Sequence, residues 1–179
     1  GGDIKPDTSL EALSKLRAAF GKDGTVTAGN ASGIVDGAAA LVLTTRERAE
    51  ADKLDDWAVV RAWGITGVDP QEMGIGPVPA IRRCLDTAGV ALDDVDLIEI
   101  NEAFSAQYLA CEKELGLDRE RCNVNGGAIS LGHPLGATGT RLLLTLMYQL
   151  RRSGKRLGVA SACIGGGQGI AMLIENPRA

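Results

Sequence analysis

Apolar residues in this chain recur at two periods, about 3.6 and 2, and the switches between them mark out helices and strands. Leu10, Leu13, Leu16 and Phe20 keep helical spacing behind Thr8 and Ser9, either of which can cap, so the pattern predicts a helix over 8–20. Gly21-Lys22-Asp23-Gly24 breaks it. A short extended piece at 25–27 then runs into the small-residue loop Ala28-Gly29-Asn30-Ala31-Ser32-Gly33. From Gly37 the pattern changes. The continuous apolar run 38–44 predicts a strand buried on both faces, and 45–54 a short charged helix. Val59, Val60, Ile65 and Val68 give 56–68 an extended, β-branched character. Helices follow at 79–88, 102–115 and 140–152, strands at 95–100, 157–162 and 169–175, the last two close enough for a hairpin. The order βαβαβαββ implies an α/β fold with a mixed five-stranded sheet and helices packed on it. Residues 1–33 read as the tail of a different unit, and 34–179 as the main domain.

Composition narrows the function classes. The net charge is −4 and no long basic run exists, which argues against nucleic acid as a partner. The basic stretch 151–156 reads as the end of a helix, where cations offset the dipole. No apolar run approaches the ~20 residues of a membrane span. The four cysteines form no CxxC pair, so free thiols in a reducing, cytoplasmic setting are expected, and a single histidine makes a zinc site improbable. The 24 glycines cluster in a few places, as tight turns around a site would require.

Four short segments can carry chemistry. His133 is held between Gly132 and Pro134, just before a helix whose first amides favour anions. An imidazole there can take a proton from a thiol or polarise a carbonyl; it reads equally as a turn histidine capping the helix. Cys163 ends an apolar strand and precedes Ile164-Gly165-Gly166-Gly167-Gln168-Gly169, where bare backbone amides can meet a developing oxyanion. The same thiol also reads as a buried residue before a glycine hairpin. Asn101 stands at the carboxyl end of a strand, where α/β folds place their sites, and could instead cap the next helix. The loop around Ser32 is the weakest of the four.

Taken in order, Gly29-Asn30-Ala31-Ser32-Gly33, Asp36-Gly37-Ala38-Ala39-Ala40, Met73-Gly74-Ile75-Gly76-Pro77, Asn101-Glu102-Ala103-Phe104, Asn125-Gly126-Gly127-Ala128, Gly132-His133-Pro134-Leu135-Gly136-Ala137-Thr138-Gly139 and Cys163-Ile164-Gly165-Gly166-Gly167-Gln168-Gly169 closely resemble the signatures of the thiolase family. The resemblance implies the carboxy-terminal half of a thiolase fold, preceded by the end of its loop domain. It implies an acyltransferase that condenses two acetyl-CoA to acetoacetyl-CoA or cleaves 3-ketoacyl-CoA with coenzyme A. These thioesters are substrates, and no separate cofactor is implied. By resemblance, His133 activates the nucleophilic cysteine, Cys163 is the acid/base, Asn101 positions a water in one oxyanion hole, and the Gly165 amide donates in the other. Ser32 resembles a pantetheine contact, and Met73, Ala103 and Phe104 resemble lining of the acyl and pantetheine pocket. The family's nucleophile belongs to the amino-terminal half, so none of Cys84, Cys111 and Cys122 is assigned that role. Val35 stands where the family more often has Asn.

The resemblance further implies a homo-oligomer, dimer or tetramer, and a need for the amino-terminal thiolase half; the chain alone is expected to be inactive. A ketoacyl synthase relative would share the broad fold, but the terminal Cys163 before its glycine turn is similar to thiolases. A non-catalytic coenzyme A-binding or oligomerisation module derived from a thiolase is the alternative of a different class.

Overall fold

The computed structural model describes residues 5–179. Four strands form one mixed sheet in the order β1-β4-β3-β2: β1 is Val59–Gly67, β2 Leu97–Ile100, β3 Leu157–Ile164 and β4 Gln168–Glu175. β2 runs parallel to β3, while β4 is antiparallel to both β3 and β1. Around them lie α1 (Leu10–Ser14), α2 (Arg46–Ala51), α3 (Pro77–Ala88), α4 (Ser105–Leu115), α5 (Ala128–Leu131) and α6 (Leu135–Ser153), with a 3-10 turn at Pro70–Ile75 ahead of α3.

The sheet separates two cores. On one face Val78, Ile81, Cys84 and Leu85 of α3 pack on Ala62, Ile98, Ile100, Val159, Ala171 and Leu173, together with Cys111 and Cys122. On the other, Leu142, Leu146 and Leu150 of α6 pack on Leu97, Ala160 and Ile174. The period of 2 along β3 sends alternate residues to the α3 side and to α6. β2 is buried at all four positions, because it has a helix layer on both faces.

The α/β reading and the terminal hairpin hold. β3 and β4 close through Gly165-Gly166-Gly167, and φ is +88° at both Gly166 and Gly167, a conformation that other residues resist. The sheet, however, has four strands rather than five: 38–44 makes no ladder. Its apolar residues find no second face to bury against, with Val42 93% and Leu43 79% exposed. The helix expected over 8–20 shrinks to Leu10–Ser14, capped by Ser9 (Ala12 N–H to Ser9 Oγ, 3.1 Å), because none of its residues is buried. Conversely, α6 starts five residues before the expected 140, at Leu135, and runs through Gly136 and Gly139, which are exposed and face open space. The expected helix over 102–115 begins only at Ser105.

The expected basic helix end at 151–156 is tied down as well. Arg151 reaches Asp55 at 2.8 Å and lies 4.4 Å from the centre of the Trp57 ring, which itself packs on Tyr148. No helix among the described residues is long and apolar enough to cross a membrane.

Leu146 is 1% exposed and sits directly against Gly158, whose missing side chain lets α6 approach β3. Leu146→Ala should therefore lower unfolding free energy by about 2–5 kcal/mol. Denaturant titration with an unchanged slope checks this, and a loss under ~1 kcal/mol would mean that α6 is not packed as described.

Candidate active site

β2 ends at Ile100, and the next residue, Asn101, lies at the carboxyl edge of the parallel pair, its N–H bound to Ser161 O of β3 (2.9 Å). Asn101 is 1% exposed. It does not cap α4: the cap position is Phe104, which makes no side-chain bond. Its amide Nδ2 instead faces His133 Nε2 at 3.3 Å.

The far side of the ring fixes the tautomer. The Thr138 hydroxyl donates to Pro134 O (3.1 Å), so its oxygen accepts at 2.6 Å from His133 Nδ1–H. Nε2 is then the lone-pair nitrogen, which matches an amide N–H from Asn101. His133 does not cap α6 either, since that helix begins without a side-chain cap. Gly132 makes the turn into His133 with φ +91°, and a β-carbon there would strike the Val35 side chain at 2.5 Å. The His133 N–H bonds Gly33 O (2.9 Å), tying the turn to the loop below it. Asn101 Oδ1 is buried and has no partner among the described residues.

Ser32, Ala103 and Phe104 come together. Ser32 bonds Ala103 O through both its N–H and its Oγ, each at 3.0 Å, Ala31 bridges to Phe104, and Phe20 packs edge-on to Phe104. The loop holding Ser32 is thus continuous, through Gly33, with the His133 turn. Next to that turn a cleft of about 370 Å³ opens between residues 35–39 and the start of α6.

Cys163 stands two residues beyond Ser161 on β3, half-buried, at the same carboxyl end of the parallel pair as Asn101. Strand alternation turns it toward the α3 side. Its partner Gly169 abuts Gly76, and the Cys111 thiol bonds Gly74 O (3.3 Å) close by. Met73, half-buried beside Gly74, belongs to that side too. No hydrogen bond joins Cys163 to His133 or Asn101 among the described residues. Gly165 and Gly166 of the hairpin turn are exposed.

Burial pushes the Cys163 thiol up, so at rest it keeps its proton. It pushes Cys111 up to about 11 and Cys122 likewise to about 11, which marks both as inert core thiols. His133 moves down, first through burial and then through the nearby Arg141 cation. Its imidazole is held neutral, the form that can accept a proton.

Sequence reasoning gave no role to three residues of this site. Thr138 sets the ring's tautomer. Asn123 takes the place of a strand beside the end of β2, bonding Ile100 N and O at 2.9 Å each. Glu102 accepts from Asn123 Nδ2 (3.1 Å) and Ile129 N (3.2 Å), and fills the space beside Gly127. A lone hydroxyl among small residues at a helix start was the available signal for Thr138. Among the described residues no group of His, Cys, Asp and Glu could hold a metal ion.

Comparison with known proteins identifies the family. A family model described as the thiolase C-terminal domain matches residues 54–176, and one described as the thiolase N-terminal domain matches 2–47, so the unpaired run 38–44 falls within the latter. An acetyl-CoA acetyltransferase of Escherichia coli is 57% identical over 96% of this chain and 43% of its own length. The crystal structure of the Bacillus anthracis acetyl-CoA acetyltransferase superposes with a TM-score of 0.94 at 53% identity, over 96% of this chain and 44% of that one. Human mitochondrial 3-ketoacyl-CoA thiolase in complex with CoA gives a TM-score of 0.90 at 47% identity, over 97% and 44%. The chain spans less than half the length of these relatives.

The chain's one histidine offers a direct check of the site's electrostatics. Because its folded value lies below the ordinary 6.5, the unfolded chain binds the extra proton first. Its contribution to stability is then full above pH 6.5 and declines as pH falls below it. An NMR titration of the ring should give a midpoint under 6.5; a midpoint at or above that value would contradict the buried, Arg141-facing ring.

Proposed function

This chain belongs to the thiolase family, and from that premise we propose that it furnishes the proton-handling part of an acetyl-CoA acetyltransferase or 3-ketoacyl-CoA thiolase. The observation that carries the reading is the Asn101–His133–Thr138 line, which leaves a neutral imidazole with its Nε2 lone pair at the end of β2. The substrates are acetyl-CoA, 3-ketoacyl-CoA and coenzyme A, and no separate cofactor takes part.

In the synthetic direction Nε2 takes the proton of a nucleophilic thiol supplied by the amino-terminal thiolase half. That thiolate adds to the acetyl-CoA carbonyl, coenzyme A leaves as the thiol, and an acetyl-enzyme thioester remains. Cys163 gives its proton to that departing coenzyme A and then, as the thiolate, removes a methyl proton from a second acetyl-CoA. The resulting carbanion attacks the acyl carbon, the enzyme thiolate departs, and acetoacetyl-CoA is released. In the reverse direction the Cys163 thiol, which keeps its proton at rest, returns it to the departing enolate. Asn101 Oδ1, buried and unpartnered, suits the acceptor that holds a water toward a thioester oxygen. The Gly165 amide serves the second oxyanion. Ser32 with Ala103, Phe104 and Met73 flanks the pantetheine arm.

The partner half is also supported by surface chemistry. Ile34, Val42 and Leu43 are exposed apolar residues on the run that the amino-terminal family model covers. A free-standing oligomerisation module would expose such residues as well, but would have no use for an imidazole of defined tautomer. We place the complete enzyme in the cytoplasm as a homo-oligomer.

The chain alone should show no thiolysis of acetoacetyl-CoA, followed as loss of its absorbance. Joined to an amino-terminal thiolase half, it should turn over, and Cys163→Ala should then lose about 10²–10⁴-fold in condensation while still becoming acylated by acetyl-CoA. Turnover by the chain alone, or condensation unimpaired in the variant, would overturn the assignment.

A further inference from the structure

Beside the histidine lies a charged pair that the proposed reaction does not use. Glu99 is 2% exposed, in the middle of β2, and its Oε2 has no hydrogen-bond partner among the described residues. Arg141 of α6 brings Nη1 to 4.0 Å from that oxygen, and both its Nη atoms are buried without hydrogen-bond partners. Well-packed apolar side chains would generally be as stable here or more so, because a buried pair seldom recovers its desolvation cost. Stability alone therefore does not account for it.

Its position does. Asn101 follows β2 directly, its N–H still paired with Ser161 O of β3, and so shares with Glu99, two residues before it, the side toward α6. Thr138 and Arg141 are three apart on one helix and also share a face. Asn101–His133–Thr138 is one rung between these elements, and Glu99–Arg141 is a second rung beside it. We propose that the Glu99–Arg141 pair is a positioning device for His133: it sets the spacing of β2 and α6 across the ring and fixes a cation there that opposes a second positive charge on the imidazole.

The charges around these rungs come from each neighbouring segment. Arg141 lies on α6, Glu99 on β2, and Glu102 on the segment after β2, where it acts on both members of the pair. Asp36 lines the cleft against Pro134 from the 35–39 segment. Burial pushes Glu99 up to about 7, with Arg141 opposing the rise and Glu102 adding to it. Burial also lowers Arg141. Each partner thus favours the charged form of the other.

The pair's role is tested by two variants with opposite expected signs, read from the ring itself. Arg141→Met removes the opposing cation and should move the His133 NMR titration midpoint up by roughly half a unit to one unit. Glu99→Gln removes the compensating carboxylate and should move it down. Arg141→Lys keeps the charge and should restore most of the original midpoint, and it remains informative should the Met variant fail to fold. Midpoints unchanged in the folded variants, with only thermal stability lowered, would overturn the proposal and leave a structural pair. In the enzyme completed with an amino-terminal half, Arg141→Met should lose about 100-fold in kcat/KM, as a misplaced catalytic group does, with the acidic limb of the profile following the ring. That arm rests on the thiolase reading; the titration arm does not, so the two can fail separately.

Discussion

Everything at the site follows from the burial of β2 on both faces. A four-residue strand with α6 over one face and, over the other, the core that α3 shares with Cys111 of α4 has no route to water for any side chain. Leucine and isoleucine meet that condition on their own, but Glu99 and Asn101 do not. Each must find polar company within reach of the strand. The α6 layer supplies Arg141 and, just before its first turn, His133. The backbone at the strand's end faces the same demand, and Asn123 meets it from the loop beyond α4, its side chain standing in for a neighbouring strand. A buried polar group is costly unless satisfied, so the polar residues of this strand specify where the surrounding loops must lie.

The direction of the hydrogen bonds then turns packing into chemistry. Thr138 spends its only proton on Pro134 O, and that single commitment makes the hydroxyl an acceptor, puts the ring proton on Nδ1, and leaves Nε2 with its lone pair. A valine at 138 could fill the same space and would leave the tautomer undefined. Gly132 contributes in the opposite way, by lacking atoms: its positive φ and its contact with Val35 bring the turn down onto the Ser32 loop. The ring is thereby tied to three separate segments, which leaves it little freedom to rotate.

Much of this was legible before any coordinates. The periodic segments around Ile81, Leu97, Leu146 and Val159 announced themselves because their pattern matches elements that bury a face locally. The two segments that misled, 8–20 and 38–44, have equally clear patterns, but pattern reports a tendency to be covered and not the presence of a cover. Asn101 and His133 were visible as residue types in suggestive places, and their contact was not, because it joins residues 32 apart in sequence through tertiary packing. Glu99 was hidden for a simpler reason. In Leu97-Ile98-Glu99-Ile100 it looks like the polar position of a half-exposed strand, and only the α6 layer makes it buried.

The same placement of α6 explains the surface left bare. The helix lies over β2 and β3 and reaches Ile174 of β4, so the β1 side of that sheet face has no helix on it. Trp63 and Ile65 of β1 point there, away from Gly64 and its contact with α3, and are 61% and 54% exposed. Ile170 adjoins them on β4, opposite Ile65. Isolated apolar residues on a surface need no explanation, but a contiguous set alongside an apolar run with no ladder does. A helix layer from the amino-terminal half proposed above would answer both needs, covering β1 and the Ile170 end of β4 as α6 covers β2 and β3. On that view the nucleophile and the surface that completes the core arrive together, and the chain's proton-handling groups gain their substrate-side wall only when its hydrophobic face is closed.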